Sequence, residues 1–220
     1  MMSALRFVSL TSLALLVMHS AVACKHERGS SEHDTATAQA APPVADGVAE
    51  PKRAPMPGGW VRYFGDGFEV ALPVLPETTP ARWVAPSGEA SDGVMSIAVD
   101  PAHPTQSYGV SLNGGLSAET TRENRSLLEA AKQKLVSQFH GVIVSERMVD
   151  EQHGFAGDAV VKELVINGDG PDGPGWTYVL RLIVSPDSFV QLIATFPSTD
   201  MLDPTTMERV DAFLASFVAK

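Results

Sequence analysis

The sequence predicts a domain of the α+β class, in which a mainly antiparallel sheet is covered by helices. Apolar and polar residues alternate over several short stretches, which is typical of strands with one buried face. Two other stretches repeat apolar residues at helical spacing, and residues typical of turns separate most of these segments. Because short turns join consecutive strands, we expect mainly antiparallel pairing.

Residues 1–23 have the pattern of a secretory signal peptide. One positive charge precedes a twelve-residue apolar run over residues 7–18, and small residues follow. As a helix this run would span about 18 Å, well short of the ~30 Å hydrocarbon core of a bilayer. The pattern therefore indicates export and removal rather than a permanent membrane span.

Cys24 is the only cysteine of the chain, and it follows the sequence AVA at residues 21–23. Residues 21–23 match the cleavage site of the ordinary signal peptidase. Together with Cys24 they also resemble the lipobox of bacterial lipoproteins, whose cysteine receives a diacylglycerol and then an acyl chain such as palmitate on its amine. Ala21 departs from the leucine that the lipobox prefers, so both routes stay open. A lone exported cysteine forms no internal disulfide, and its position favours lipidation.

Residue 25 bears on the location of the protein. Lys25 resembles the residue after the cysteine of outer-membrane lipoproteins more than the aspartate that retains others at the inner membrane. We therefore expect an outer-membrane lipoprotein facing the periplasm or the cell surface. Residues 24–59 then form a flexible linker, since they contain no aromatic residue, leucine or isoleucine and are rich in Ala, Pro, Ser, Thr and Gly.

The globular domain is predicted over residues 60–220, which is long enough for its own core. Two prolines, Pro73 and Pro76, are expected to close the second strand, and a turn is expected at residues 91–93. The first five predicted strands are residues 60–63, 68–72, 82–84, 94–99 and 108–112.

A helix over residues 119–140 follows, with an apolar stripe and Gly141 placed to stop it. A second helix begins at the cap Asp203, with Pro204 at the first helical position. The four strands predicted between the helices are residues 142–148, 158–166, 176–185 and 189–196.

The pattern YxxxGFxVxLPxxP over residues 63–76 resembles the start of PsbP-like domains and related bacterial lipoproteins. The end of the chain agrees, with VIV at residues 142–144, three further strands and FLxSF at residues 213–217. The resemblance implies an α/β/α sandwich around a twisted antiparallel sheet. It also implies a non-enzymatic protein that binds larger partners, and it carries no catalytic motif.

The charge of the domain restricts its partners. Residues 60–220 hold eleven Lys and Arg against twenty-one Asp and Glu, so the whole formal charge of −10 lies there. Nucleic acids and anionic lipid headgroups bind basic surfaces, so we expect no nucleic-acid partner. The expected membrane contact is the lipid on Cys24, and the expected macromolecular partner is an envelope protein.

Several short segments partly resemble catalytic or metal-binding motifs. Residues 109–113 (GVSLN) lack the second glycine of a nucleophile elbow, which favours an ordinary strand serine. Residues 167–173 (NGDGPDG) lack the spacing of an EF-hand, which favours a long solvated hairpin tip over a Ca²⁺ site. His103, in a loop between prolines, and His140 and His153 show no zinc-ligand spacing, although His140 suits the end of a helix.

The acidic and aromatic residues do not identify a catalytic or binding site either. Nothing in the spacing marks one carboxylate pair, and no cofactor motif is present. We therefore predict no catalytic residue, no metal and no cofactor. The candidate carboxylates are Glu129, Glu146, Asp158 and Glu163. Three tryptophans could line a ligand groove, although packing in the core is the favoured role: Trp60, Trp83 and Trp176.

Three functions remain, in order of preference. The first is a lipid-anchored, non-enzymatic protein-interaction module. The second is a carrier with a small-ligand pocket between the sheet and a helix, and the third is an enzyme with an unfamiliar site. A large apolar cavity would favour the carrier, and a buried polar cluster with perturbed pKa values would favour the enzyme.

Overall fold

A computed structural model of the protein describes residues 56–149 and 159–220. The helices in these ranges are α1 (Ala118–Arg122), α2 (Asn124–Gln138) and α3 (Pro204–Ser216), with a 3₁₀ helix at Ser198–Leu202. The strands are β1 (Val61–Gly65), β2 (Phe68–Leu72), β3 (Glu77–Val84), β4 (Ala90–Asp100), β5 (His103–Asn113), β6 (Val142–Val149), β7 (Val160–Gly170), β8 (Gly173–Val184), β9 (Phe189–Pro197) and β10 (Val218–Ala219).

Two antiparallel sheets form the architecture. The larger sheet has seven strands in the order β3-β4-β5-β9-β8-β7-β6, and the smaller has the order β1-β2-β10. Every strand pair in both sheets is antiparallel. Helices lie on both faces of the larger sheet, so the predicted α+β class and sandwich arrangement are confirmed.

The alternation of side chains divides the core between the two faces of the larger sheet. One face carries Val110, Val179 and Leu192, which pack with α3 and the small sheet. We call this the closed face. The opposite face carries Leu164 and Leu180, which pack with α2, and we call it the open face.

Helix α3 is fixed to the closed face by its buried stripe and by polar contacts at its ends. Val210 and Phe213 are fully buried in the core of this face. At the first turn, the Asp203 carboxylate accepts hydrogen bonds from the backbone of Thr205 and Thr206, which confirms the predicted cap. At the last turn, Ser216 Oγ accepts a hydrogen bond of 2.8 Å from the backbone N–H of Ala71 in β2.

The predicted strands are present, but β3 and β4 are longer than expected. Residues 91–93 lie within β4 and pair with residues 81–83, so the predicted turn there is wrong. The chain reverses instead between Ala85 and Glu89, where the N–H of Ala85 donates to the carbonyl of Glu89 at 2.8 Å. Pro80 is tolerated in β3 because this strand is at the edge of the sheet.

The helix predicted over residues 119–140 is divided in two. Glu123, at φ −86° and ψ 39°, separates α1 from α2. His140, just beyond α2, has the left-handed φ of 43°, so the prediction that Gly141 provides the stop is wrong. A glycine is needed at 141 for a different reason, since a Cβ there would lie 2.5 Å from Ile166 Cγ2.

The described residues include no helix that combines the length and apolar character needed to cross a bilayer. The predicted signal peptide, Cys24 and most of the linker lie outside the described residues, as do His153 and Asp158. The domain boundary at residue 60 stays a prediction, although Trp60 is buried and packs edge-on against Tyr108, with ring centroids 5.0 Å apart.

Candidate functional site: a groove on the open face

Helix α2 covers only part of the open face, and a groove lies beside it. Strands β3, β4, β5 and β9 form the floor of the groove, and α2 forms one wall. The groove encloses about 90 Å³ and opens to solvent. Its apolar surface comes from Ala81, Met95, Ile97 and Ile193 on the floor and Leu135 and Phe139 on the wall.

The depth of the floor depends on small residues in β5. Ser107, Gly109, Ser111 and Asn113 alternate along this strand and all face the groove. A Cβ at Gly109 would lie 2.9 Å from Ile193 Cγ2. Ile193 therefore packs over Gly109 where a side chain would otherwise stand, and the small residues of β5 keep this part of the floor low.

Asn113 supplies an unusual polar group. Its side chain is 2% exposed and lines the groove, and its Oδ1 has no hydrogen-bond partner among the described residues. Buried polar atoms are nearly always hydrogen-bonded, and an unpaired one is costly. This amide therefore offers hydrogen-bonding capacity at the end of a mainly apolar floor.

An aromatic stack closes the groove below the end of α2. Phe139 lies flat on Tyr178, with ring centroids 3.8 Å apart and an interplanar angle of 5°. The Tyr178 hydroxyl donates a hydrogen bond of 2.5 Å to the carbonyl oxygen of Asp169. Burial, reinforced by the Asp169 carboxylate, raises the pKa of Tyr178 to about 12. The phenol therefore stays protonated near neutral pH and acts as a fixed support for the wall.

The serine considered as a nucleophile lies in the floor of this groove. Ser111 is in the continuous strand β5, and no strand-to-helix turn follows it directly. The groove is lined by no histidine and no carboxylate among the described residues. A general base that could activate Ser111 is therefore missing from its surroundings, which agrees with the interpretation as a strand serine.

The three tryptophans lie in different places. Trp83 is 5% exposed and lines the groove, with its ring centroid 4.9 Å from that of Phe189. Trp60 belongs to the core of the closed face. Trp176 packs over Gly170, where a Cβ would lie 2.2 Å from the indole ring. Packing is thus the role of all three, and Trp83 also contributes to the groove.

Two of the candidate carboxylates are brought together by lysines. Lys162, 5% exposed, donates to Glu129 and, at 2.7 Å, to Glu146. Lys132 forms ion pairs with the same two carboxylates. The hydrogen bond from Lys132 lowers the pKa of Glu129, and the hydrogen bond from Lys162 lowers that of Glu146. Both carboxylates therefore stay charged, and the cluster provides no general acid.

Glu163 lies on the other face of the sheet, with buried Arg181. Nε of Arg181 donates to Glu163 Oε1 at 2.9 Å, and its NH1 donates to the Leu214 carbonyl at 3.0 Å, near the end of α3. Nε of Arg147 donates to Glu163 Oε2 at 2.6 Å. Burial acts to raise the pKa of Glu163, but the two arginines outweigh it and lower the pKa. This cluster ties α3 to the sheet.

The remaining motifs have structural roles. His103 begins β5 rather than lying in a loop, and His140 Nδ1 lies 3.5 Å from Asp169 Oδ2. Residues 167–170 belong to β7, so the long hairpin tip predicted there is a tight turn. Asn167 Oδ1 accepts a hydrogen bond from Thr177. The described residues contain no group of three potential metal ligands, and the absence of a metal stays a prediction.

Sequence reasoning did not find the groove. Its residues come from five strands and from α2 with the residue after it, which are far apart in the chain, and none forms a motif. One signal was available in β5, where Ser107, Gly109, Ser111 and Asn113 alternate with large apolar residues. A stripe of small residues in a central strand indicates a shallow depression, but it does not reveal which helix lies beside it.

Comparisons with known proteins concern the fold. No protein-family model matches the sequence, and the search of curated proteins gives no match. In structure the chain is similar to cyanobacterial PsbP from Synechocystis sp. PCC 6803, with a TM-score of 0.43 and 12% sequence identity. The similarity covers 73% of this chain and 92% of the cyanobacterial protein. The similarity is one of fold, and it agrees with the fold that the resemblance of residues 63–76 to PsbP-like domains predicts.

Proposed function

We propose that this protein is a lipid-anchored, non-enzymatic interaction module of the bacterial cell envelope, and that the groove is where it binds a protein partner. The form of the groove carries the proposal. It has an apolar floor, yet it encloses only about 90 Å³. Pockets that bury a small-molecule ligand usually measure about 300–1,000 Å³. The groove therefore suits a protruding part of a larger partner better than a complete small ligand.

The anchor and linker fit such a role. A lipid on Cys24 would hold one end of the chain at the membrane, and several acyl chains bind far more firmly than one. A flexible linker of the length of residues 25–59 has a root-mean-square reach of about 30–35 Å. Tethering raises the effective concentration of the domain near membrane partners, so a modest affinity is sufficient.

A small-ligand carrier is the second candidate, and one observation favours it. The groove lies between the sheet and α2, and the buried Asn113 Oδ1 in its lining has no hydrogen-bond partner among the described residues. A ligand with an apolar body and a hydrogen-bond donor would satisfy both features. Native mass spectrometry of the purified full chain tests this alternative, because a carrier is expected to retain a ligand of defined mass.

The interaction module is tested by capture with groove variants. The full chain is mixed with detergent-solubilised envelope from its own cell, and the captured proteins are identified. Ile97→Glu places a charge on the groove floor, whereas Val94→Glu changes the same strand outside the groove. We expect one stoichiometric partner with the unmodified chain and with Val94→Glu, and loss of that partner with Ile97→Glu. A partner retained equally by all three would place binding elsewhere.

The anchor is tested by Cys24→Ala. Without the thiol no lipid is attached, so the variant is expected to move into the aqueous phase in detergent partitioning. Lys25→Ala is the matched control, since it changes the neighbouring residue but keeps the cysteine. If Cys24→Ala still behaves as a membrane protein, the lipoprotein assignment fails.

A further inference from the structure

The groove is nearly free of charged side chains. Lys134, which is exposed on α2, is the charged side chain that reaches it among the described residues. Arg82 borders the groove with its backbone, because side chains alternate along β3 and its guanidinium lies 3.9 Å from Asp92, on the face opposite the Trp83 indole. A charge buried in such a groove would lose its hydration without gaining a buried counter-charge, so the groove suits an uncharged occupant. Its other polar groups include hydroxyls and amides, from Ser107, Ser111, Thr195, Asn113, Gln138 and Gln191.

Asn113 determines what an uncharged occupant has to offer. Its side chain lies over Gly93 of the neighbouring strand, where a Cβ would be 2.7 Å from Asn113 Oδ1. The side chain is 2% exposed, and Oδ1 has no hydrogen-bond partner among the described residues. An amide oxygen only accepts hydrogen bonds, so it needs a donor, which a carboxylate does not provide. The occupant that completes this site therefore carries a neutral N–H or O–H group.

We propose that the groove binds an uncharged peptide segment of the partner protein, which inserts one aliphatic side chain between the floor and α2 and donates a neighbouring backbone N–H to Asn113 Oδ1. This inference rests on the proposed function, because it names the kind of segment that the interaction module recognises. A backbone N–H is a neutral donor that every residue except proline carries. The Asn113 amide group also donates, so it can bind both the N–H and the C=O of a peptide.

The dimensions of the groove agree with one anchored side chain beside Asn113. The groove encloses about 90 Å³, which is too little for a complete ligand of the usual size. Ser111 is the next residue of β5 on the same face, and residues two apart in a strand are roughly 7 Å apart. A side chain placed over Ser111 therefore brings an adjacent backbone N–H close to Asn113. Met95, opposite Ser111 in β4, is flexible and half-buried, so it can adjust to the shape of the anchor.

The test uses three small probes that share the leucine side chain and differ in charge. N-acetyl-leucine amide is neutral, N-acetyl-leucine has a carboxylate, and leucine amide has an ammonium group. Each is titrated into the purified, ¹⁵N-labelled full chain, and binding is followed by NMR shifts of the backbone amides. Salt is added, because the charge of −10 on residues 60–220 would otherwise attract the ammonium probe.

We expect the neutral probe to bind most tightly and to shift residues of the groove, such as Met95 and Leu135. The two charged probes bury a charge beside the same apolar surface, so they are expected to bind more weakly. If either charged probe binds as tightly as the neutral one, the inference of an uncharged segment is overturned.

Asn113→Leu distinguishes a binding role of the amide from a structural one. The substitution keeps a similar volume but removes the acceptor, so the neutral probe is expected to bind roughly three- to tenfold more weakly, the value of one net hydrogen bond. An unsatisfied buried polar group costs stability, so the melting temperature is expected to stay equal or to rise. A lower melting temperature with unchanged probe binding would assign Asn113 to the fold and overturn the inference.

Asn167→Leu is the matched control, because this asparagine lies outside the groove and its Oδ1 accepts a hydrogen bond of 2.9 Å from Thr177. The variant leaves the Thr177 hydroxyl without that acceptor and is therefore expected to lower the melting temperature. Binding of the neutral probe is expected to stay unchanged. If both asparagine variants weaken probe binding equally, the effect of Asn113 acts through the fold and the inference fails.

Envelope capture separates this inference from the proposed function. Asn113→Leu is expected to weaken capture of the partner, as it weakens binding of the neutral probe. If the neutral probe does not bind, or binds Asn113→Leu normally, while capture still depends on Ile97, this inference is overturned and the interaction module stands. If capture does not depend on the groove, the proposed function fails, and this inference fails with it because no partner segment occupies the groove.

Discussion

The two faces of the larger sheet differ in how completely helices and the small sheet cover their strands. On the closed face, α3 and the small sheet cover the strands, and the side chains of Val110, Leu192 and Phe213 are fully buried. On the open face, α2 packs on β7 and β8, and the strands beyond them form the groove. There Met95, Ile97 and Ile193 remain half-buried.

Polar side chains follow the same division. The closed face holds buried groups that connect elements, such as Arg181 with Glu163 and with the Leu214 carbonyl. At the groove, Asn113 Oδ1 has no hydrogen-bond partner among the described residues, and Lys134 on α2 is exposed. Native structures satisfy buried polar groups where stability is at stake. The closed face also holds Trp60 Nε1 without a hydrogen-bond partner among the described residues, so the groove is distinguished by its exposure and not by the unsatisfied amide alone.

The largest expected difference between the faces is in stability. Phe213→Ala on α3 removes a fully buried ring from the closed face and is expected to cost about 3–5 kcal/mol in the free energy of unfolding. Ile97→Ala removes half-buried groove atoms and is expected to cost roughly 1 kcal/mol. Urea denaturation of both variants measures the difference. Equal losses would mean that the groove floor is as tightly packed as the closed core.

The second prediction concerns the buried ion pair of the closed face. Glu163→Gln leaves Arg181 without its carboxylate and is expected to cost about 2–3 kcal/mol near neutral pH. The folded pKa of Glu163 is lowered, so its contribution is full above the unfolded pKa of about 4.3 and is lost as the pH falls through the folded value.

Denaturation of both proteins as a function of pH measures this dependence. The stability of the unmodified chain is expected to approach that of Glu163→Gln as the medium becomes acidic. As the control, Glu146→Gln changes a more exposed carboxylate of the open face and is expected to have a smaller effect. A constant difference at every pH would show that the charge of Glu163 does not matter.

The smallest stability effect is expected from filling the groove. Gly109→Ala adds a methyl group that must displace Ile193. Ile193 is half-buried beside open space, so the cost is expected to be below about 1 kcal/mol, while capture of the envelope partner weakens. Ala194→Val adds bulk to the fully buried closed face and is expected to cost about 1–3 kcal/mol without changing that capture. Thermal unfolding and envelope capture together test the pair.

Much of the fold follows from patterns that are local in the chain. Alternation in residues 68–72 and 108–112 located β2 and β5, and Asp203 with Pro204 located the start of α3. The errors occurred where local signals competed. Residues 91–93 resemble a turn, but the pairing of β3 with β4 extends over them. Glu123 interrupts the long helical stripe although no proline or glycine marks the position.

The sequence by itself determined the α+β class and most of the strand and helix order, because alternation, capping residues and apolar runs act over a few neighbouring residues. The leader with Cys24 stays a prediction. Only the tertiary structure decided that α2 leaves the floor of the groove uncovered, that residues of β5 and α2 line the same groove, and that Glu129 and Glu146 share Lys162. These contacts join residues far apart in the chain, so they depend on sheet order and helix placement, which no local pattern specifies.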